Sequence, residues 1–380
     1  MRKQIHDSSI NRGRACSLSH GTWRRVGAKL ACAGACALMV GQLLLPSVAL
    51  AAEWVNVGGT QYNKGAGDEA GTWSWDGADD MKLNGYDGAG ISAQGNLNIG
   101  VTGTNTVTAD SLRSAIEVKD GNLAITGEGT LNATAEPQKS RSAVKVDCGS
   151  LAISGDVTLN ATAGTDTIAV SGDGKTGGDM GIRGANVNVT ATNKAPHTIG
   201  IHTRAGNITI NEGADVHVEA EANGGLNAVA VYAENISSEH GGCIAVDNAK
   251  LDAAARNGCS VSVALYSSGG KDTYLSVTNG ADVTLVASDR ADVLDGVWMR
   301  AGDGVSRVLV ENSSLTVRCG DGTGHSRKHG YGIYSQSGSQ SAIPRIDIIN
   351  SNVEVSGNAA AIYAVNQGDA ALVSQLMADR

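Results

Sequence analysis

Three groups of side chains in this sequence have the types and spacing to do chemistry. The first is a set of tyrosines, Tyr232, Tyr266, Tyr334 and Tyr363, set in short stretches of one form: "VAVY", "VALY", "YGIY" and "AIYA". His202 in "IGIH" and Arg300 in "VWMR" hold the same place, and Trp298 stands two residues before Arg300. Lys119, Asp147 and Ser171 continue the series toward the N-terminus. Aromatic faces stack on the apolar C–H faces of sugar rings, while tyrosine hydroxyls hydrogen-bond sugar hydroxyls. Such a file also has a purely structural use, because cross-strand aromatic pairs stabilise a sheet by roughly 0.2–1 kcal/mol each.

The second group is acidic. Asp76, Asp79, Asp80 and Asp87 crowd around Trp73 and Trp75 in a glycine-rich stretch. Hard oxygen ligands this close can hold Ca²⁺, although the spacing departs from the twelve-residue calcium loop and equally suits a solvated turn. The third group is "GHSRKHG", which places His325, Arg327, Lys328 and His329 in one insertion. Beside paired acids these would serve a polysaccharide lyase or hydrolase as catalyst and uronate clamp. The nearest acid, Asp321, shares the same insertion, and Asp289, Asp292 and Asp295 lie one repeat earlier. No acid pair stands on the neighbouring strands, and no Gly-x-Ser-x-Gly, phosphate loop or HExxH occurs. The expectation is a protein that is not an enzyme, with no catalytic residues.

What positions these groups is a repeat. "NLNIGVTGTNTVTA", "NLAITGEGTLNATA", "SLAISGDVTLNATA" and "IDIINSNVEVSG" each contain two period-two runs divided by small polar residues. A third run precedes most of them, giving about nine units of three short strands. One such unit cannot bury its apolar side chains, whereas stacked units bury them against their copies above and below. The expected fold is all-β, a right-handed parallel β-helix over residues 91–365, its hand following the crossover rule. An antiparallel sandwich is the rival, but it has no need of one three-strand unit repeated in constant order. Ile199, Ile201, Val229, Val231, Val263, Leu265, Ile333 and Ile362 are expected inside the tube. Counting outward from them puts the tyrosine file beside a second outward file of small residues, Ala169, Gly200, Ala230, Ala264, Gly332 and Ala361. Glu117, Lys145 and Trp298 fall in that second file too, and together the two files would form a furrow with an aromatic wall.

This pattern resembles the right-handed β-helix proteins of bacterial surfaces. "GTWSWDGADDMKLNGYDGAGISAQGNLNI" is similar to the opening segment of secreted proteins of the carbohydrate-binding-domain-containing type. That resemblance implies display outside the cell and contact with polysaccharide or with host or cell-wall glycan, without catalysis.

The ends differ from the middle. Basic residues up to Lys29 precede the apolar run "LACAGACALMVGQLLLPSVALAA", which ends in Ala49-Leu50-Ala51. Residues 1–51 therefore read as a bacterial signal peptide rather than an uncleaved anchor, and the product as secreted or at the cell surface. With them leave seven Lys/Arg and one acidic residue, so 22 basic and 37 acidic residues remain, a net charge of −15. That excludes a basic nucleic-acid surface. Residues 52–90 hold Trp54, Tyr62, Trp73, Trp75 and Tyr86, suited to lidding the first coil. At the other end, residues 366–380 read as a short capping helix begun by Asp369, or as a truncated end. Cys148, Cys243, Cys259 and Cys319 allow three disulfide pairings; Cys243 and Cys259 are near enough to close a loop.

Overall fold

Strands that hold the same place in the repeat pair with one another, not with their neighbours in sequence. The structure, a computed structural model, describes residues 51–109, 114–136, 141–172, 178–193, 196–235, 242–288, 291–320, 329–338, 344–366 and 376–379. The predicted signal peptide, apart from Ala51, and the "GHSRKHG" insertion, apart from the backbone of His329 and Gly330, lie outside these residues, as does Asp289.

Three long sheets result. The first runs in parallel from Ile91–Gln94 to Ala360–Asn366, the second from Asp80–Asn84 to Leu376–Asp379, and the third from Asp87–Ala89 to Asn352–Ser356. Among the described residues the chain passes second, third, first sheet in every coil, and the 10-stranded third sheet counts ten coils there. This is a parallel β-helix. The coil beyond the nine in the repeat alignment is the earliest, formed by Asp80–Asn84, Asp87–Ala89 and Ile91–Gln94. Its strands are short and glycine-rich, so the period-two signal is weak there, and parallel pairing begins upstream of residue 91.

Alternation does the folding. Each strand points every second side chain into the tube, where Ile116, Val144, Ile168, Ile201, Val231 and Leu265 form one file, all 0 % exposed. Full burial of each such aliphatic contributes about 1.5–3 kcal/mol, which no single coil would realise alone. The corners between second and third strands need left-handed backbone, and asparagine supplies it at Asn248, Asn279, Asn312 and Asn350, with φ from 47° to 57°.

The start of the stack is closed by antiparallel strands. Trp54–Val57 pairs with Ile91–Gln94, and Trp73–Trp75 pairs with Asp80–Asn84. Trp73 and Trp75 are buried, and Tyr62 packs against Trp73 at 5.3 Å between ring centroids. At the other end the helix expected over 366–380 is not what the described residues form. Leu376–Asp379 is a strand paired in parallel with Arg345–Ile349, because an open sheet edge offers backbone partners that a helix would leave unmet. The remainder of that segment, Asp369 included, lies outside the described residues. No disulfide joins Cys148, Cys243, Cys259 and Cys319; Cys243 and Cys319 are buried, whereas Cys148 and Cys259 are exposed.

Candidate functional site

The first sheet carries the aromatic file on its outer face. Its register sets His202, Tyr232, Tyr266, Trp298, Tyr334 and Tyr363 side by side on successive strands. The rings stack. His202 and Tyr232 lie 4.7 Å apart at 8°, Tyr232 and Tyr266 4.6 Å at 9°, and Tyr266 and Trp298 4.8 Å at 29°. Beyond the tilted Trp298–Tyr334 contact at 5.9 Å, Tyr331 joins the file and stacks on Tyr363 at 4.6 Å. Burial raises the phenol pKa values of Tyr232 and Tyr266 and pushes that of Tyr334 up to about 12. All three are neutral hydroxyls at physiological pH.

The register corrects two expectations. Trp298, not Arg300, is the rung between Tyr266 and Tyr334; Arg300 lies in the adjacent file with Arg204, Glu234 and Ser268. Lys119, Asp147 and Ser171 also belong to that adjacent file, whereas Glu117, Lys145 and Ala169 continue the aromatic one. The second correction concerns the furrow. Gly200, Ala230, Ala264 and Gly332 are not outward-facing: Ala230 and Ala264 are 0 % exposed and belong to the core. A Cβ on Gly200 would stand 2.3 Å from the Val218 side chain, and one on Gly332 2.3 Å from that of Val355. Small residues sit there because the strand turns a corner against the third sheet. Ile199, Val229 and Val263, expected in the tube, are buried outside that core cluster, while Ile201, Val231, Leu265 and Ile333 are in it and Ile362 packs against it.

A recess opens where the rings stop. Next to His202 the file continues with Ala169, and next to Arg204 the adjacent file continues with Ser171. One coil of small side chains therefore lies between Lys145 and Asp147 on one side and His202 and Arg204 on the other. The depression has a volume of about 340 Å³ and is also lined by Glu117, Arg141, Ser142 and Asp166.

Charge is dense here. His202 is 3 % exposed, with Nδ1 3.3 Å from an Asp166 carboxylate oxygen and Nε2 3.6 Å from one of Glu234. Burial alone would lower the His202 pKa, but hydrogen bonding to Asp166 and Glu234 and the Asp166 charge outweigh it, and the net direction is upward. Burial acts to raise Asp166, yet its hydrogen bond to His202 and the nearby positive charges hold it below the usual carboxylate value. The bond to His202 likewise lowers Glu234. Lys145 bridges Asp147 at 2.6 Å and Glu117 at 3.6 Å.

The acidic cluster is partly assembled. Carboxylates of Asp76, Asp79 and Asp80 come within 4.8 Å of one another, whereas Asp87 stands apart on a strand paired with Thr106. Two of the three already have partners: Asp76 Oδ1 accepts the Ala78 and Asp80 N–H groups, and Asp80 accepts from the Asn98 amide. The turn accounts for its own geometry. Asp295, held in reserve as an acid for the catalytic alternative, is fully buried.

Compared with family models, curated proteins and solved structures, this chain matches none. Its function must be argued from this outer face alone. Among the described residues, no helix is long and apolar enough to cross a membrane.

Proposed function

We propose that the chain is an exported, non-enzymatic β-helix that binds carbohydrate along the outer face of its first sheet. The observation that carries this reading is the single file of six aromatic side chains running into a charged recess. Because the rings cover one another's faces, a glycan laid along the file meets ring edges and hydroxyls. The file ends at His202, where the charged recess begins. Tyr232, Tyr266, Tyr334, Tyr363, Trp298 and His202 are the contact residues, with Arg300 flanking them.

The test is retention on insoluble polysaccharides and binding to a glycan array. Tyr266→Phe combined with Tyr363→Phe keeps the stack but removes edge hydroxyls. Retention should fall several-fold at unchanged melting temperature. The mutual occupation of ring faces favours a second reading, a spacer solenoid without a ligand. Blank arrays and no retention on any polysaccharide would decide for it.

A further inference from the structure

Arg300 stands directly beside the rings of the aromatic file. The file next to the rings reads Arg204, Glu234, Ser268, Arg300, Gln336 and Val365. Arg300 therefore lies between two neutral hydrogen-bonding side chains, about 4.8 Å away on either side. It is exposed, and it forms no ion pair among the described residues. Its guanidinium hydrogen-bonds the Tyr266 hydroxyl, and its charge acts on Tyr334 as well.

The charges around it leave one positive charge over. Glu234, the acid of the same file, is held by His202, 3.6 Å away. It lies two strands from Arg300, roughly 9.6 Å and so beyond the ~8 Å Debye length at physiological ionic strength. Asp295, whose charge also acts on Tyr334, is 0 % exposed, and burial raises its pKa to about 7. The turn that follows carries one charge of each sign, Lys271 and Asp303, on adjacent coils joined by the bond from the Asp303 N–H to the Gly270 carbonyl. Ser268 and Gln336 bring hydrogen-bonding groups without charge, and burial keeps Tyr266 and Tyr334 neutral. A neutral sugar would leave the guanidinium fork to water, whereas a carboxylate takes two parallel hydrogen bonds from it.

We propose that Arg300 makes the outer face of the first sheet selective for acidic glycans, pairing with the carboxylate of a uronate unit whose hydroxyls meet Ser268, Gln336 and the tyrosine edges. The proposal rests on the carbohydrate reading and adds the charge class of the ligand. Arg300 is then the residue that determines specificity.

Calorimetric titration of the whole protein with oligogalacturonate and with hyaluronan oligosaccharides, each beside its carboxyl methyl ester, tests it. The ester keeps the sugar chain and removes the charge. At least one acid should bind about tenfold more tightly than its ester, and the difference should shrink as salt rises. Arg300→Gln should erase that difference, and Arg300→Lys, which keeps the charge but loses the fork, should retain only part of it. Because Arg300 is exposed, both variants should melt with the wild type, which circular dichroism checks. Acid and ester bound equally by the wild type, or a preference that survives Arg300→Gln, would overturn the proposal. So would retention on neutral insoluble polysaccharide with neither acid bound. In those cases the carbohydrate reading stands; if no polysaccharide, acidic or neutral, is bound, both fall.

Discussion

The His202 imidazole lies face to face with the Tyr232 ring, 4.7 Å away and within 8° of parallel, while its Nδ1 stands 3.3 Å from Asp166. One residue thus ends the aromatic file and begins the charged recess. The cationic form gains from both neighbours, since the phenol face attracts positive charge and the carboxylate pairs with it.

That arrangement gives stability a defined pH dependence. His202 has a folded pKa above its ordinary 6.5, so its contribution is complete below 6.5 and is lost as pH rises through the folded value. Asp166 and Glu234 are depressed, so theirs is complete above the ordinary carboxylate values and is lost as pH falls through the folded ones. The melting temperature should therefore decline on the alkaline side of 6.5, and His202→Phe, which keeps the stack, should flatten that decline. An identical slope in wild type and variant would remove the His202 assignment.

The file itself is a structural element as well as a surface. Tyr266 stacks on Tyr232 at 4.6 Å and on Trp298 at 4.8 Å, so Tyr266→Ala uncovers both neighbours. The loss should be about 2–4 kcal/mol, combining two stacking contacts with the burial of a half-covered ring. Tyr266→Phe should change stability by less than about 1 kcal/mol. Chemical denaturation followed by circular dichroism checks both values, and a negligible effect of the alanine variant would mean that the rings are not packed as described.

How far the sequence carried depended on which signal was read. The coil repeat was legible because Ile, Val and Leu recur inward in both the second and third strands. In the first strand the inward pair changes character partway along the stack. Val118, Val146 and Val170 are followed in the same file by Thr203, Ala233 and Ser267, all fully buried. Thr203 and Ser267 satisfy their hydroxyls on the carbonyls of Gly206 and Gly242, so polar residues fit inside. An apolar-pair rule then slides by two residues, which is why Ser171 rather than Ala169 is expected beside His202. The pairing of small residues with long ones across one coil, which makes the recess, shows only once that register is known.

The corner glycines follow from the same geometry. A Cβ at Gly296 would lie 2.1 Å from a Val317 methyl and 2.7 Å from the Gly332 carbonyl oxygen. Neither neighbour can retreat, as Val317 is fully buried and the carbonyl belongs to a paired strand. Gly296→Ala should destabilise by about 1–3 kcal/mol through overpacking. Combining it with Val317→Ala should recover part of the loss, and a double-mutant cycle without coupling would contradict the contact.

Asp295 is the sharpest case of a group held against its preference. It is 0 % exposed; Oδ1 accepts the Tyr331 N–H at 3.1 Å, and Oδ2 has no partner. Burial raises its pKa to about 7, the Tyr331 bond opposing that only in part. The same burial, with the Asp295 charge added, pushes the neighbouring Cys319 thiol up to about 12. Unfolding frees Asp295 to ionise near 3.8, so between about 3.8 and 7 the folded state binds the extra proton. Stability contributed by this site therefore falls as pH rises across that interval and levels off above it. Asp295→Asn keeps an acceptor for Tyr331 and removes the ionisation. It should raise stability near neutral pH by a few kcal/mol at most, with little change near pH 4. Melting curves of both proteins across that range would show the two converging at the acid end, and parallel curves would mean that Asp295 is already ionised and paired.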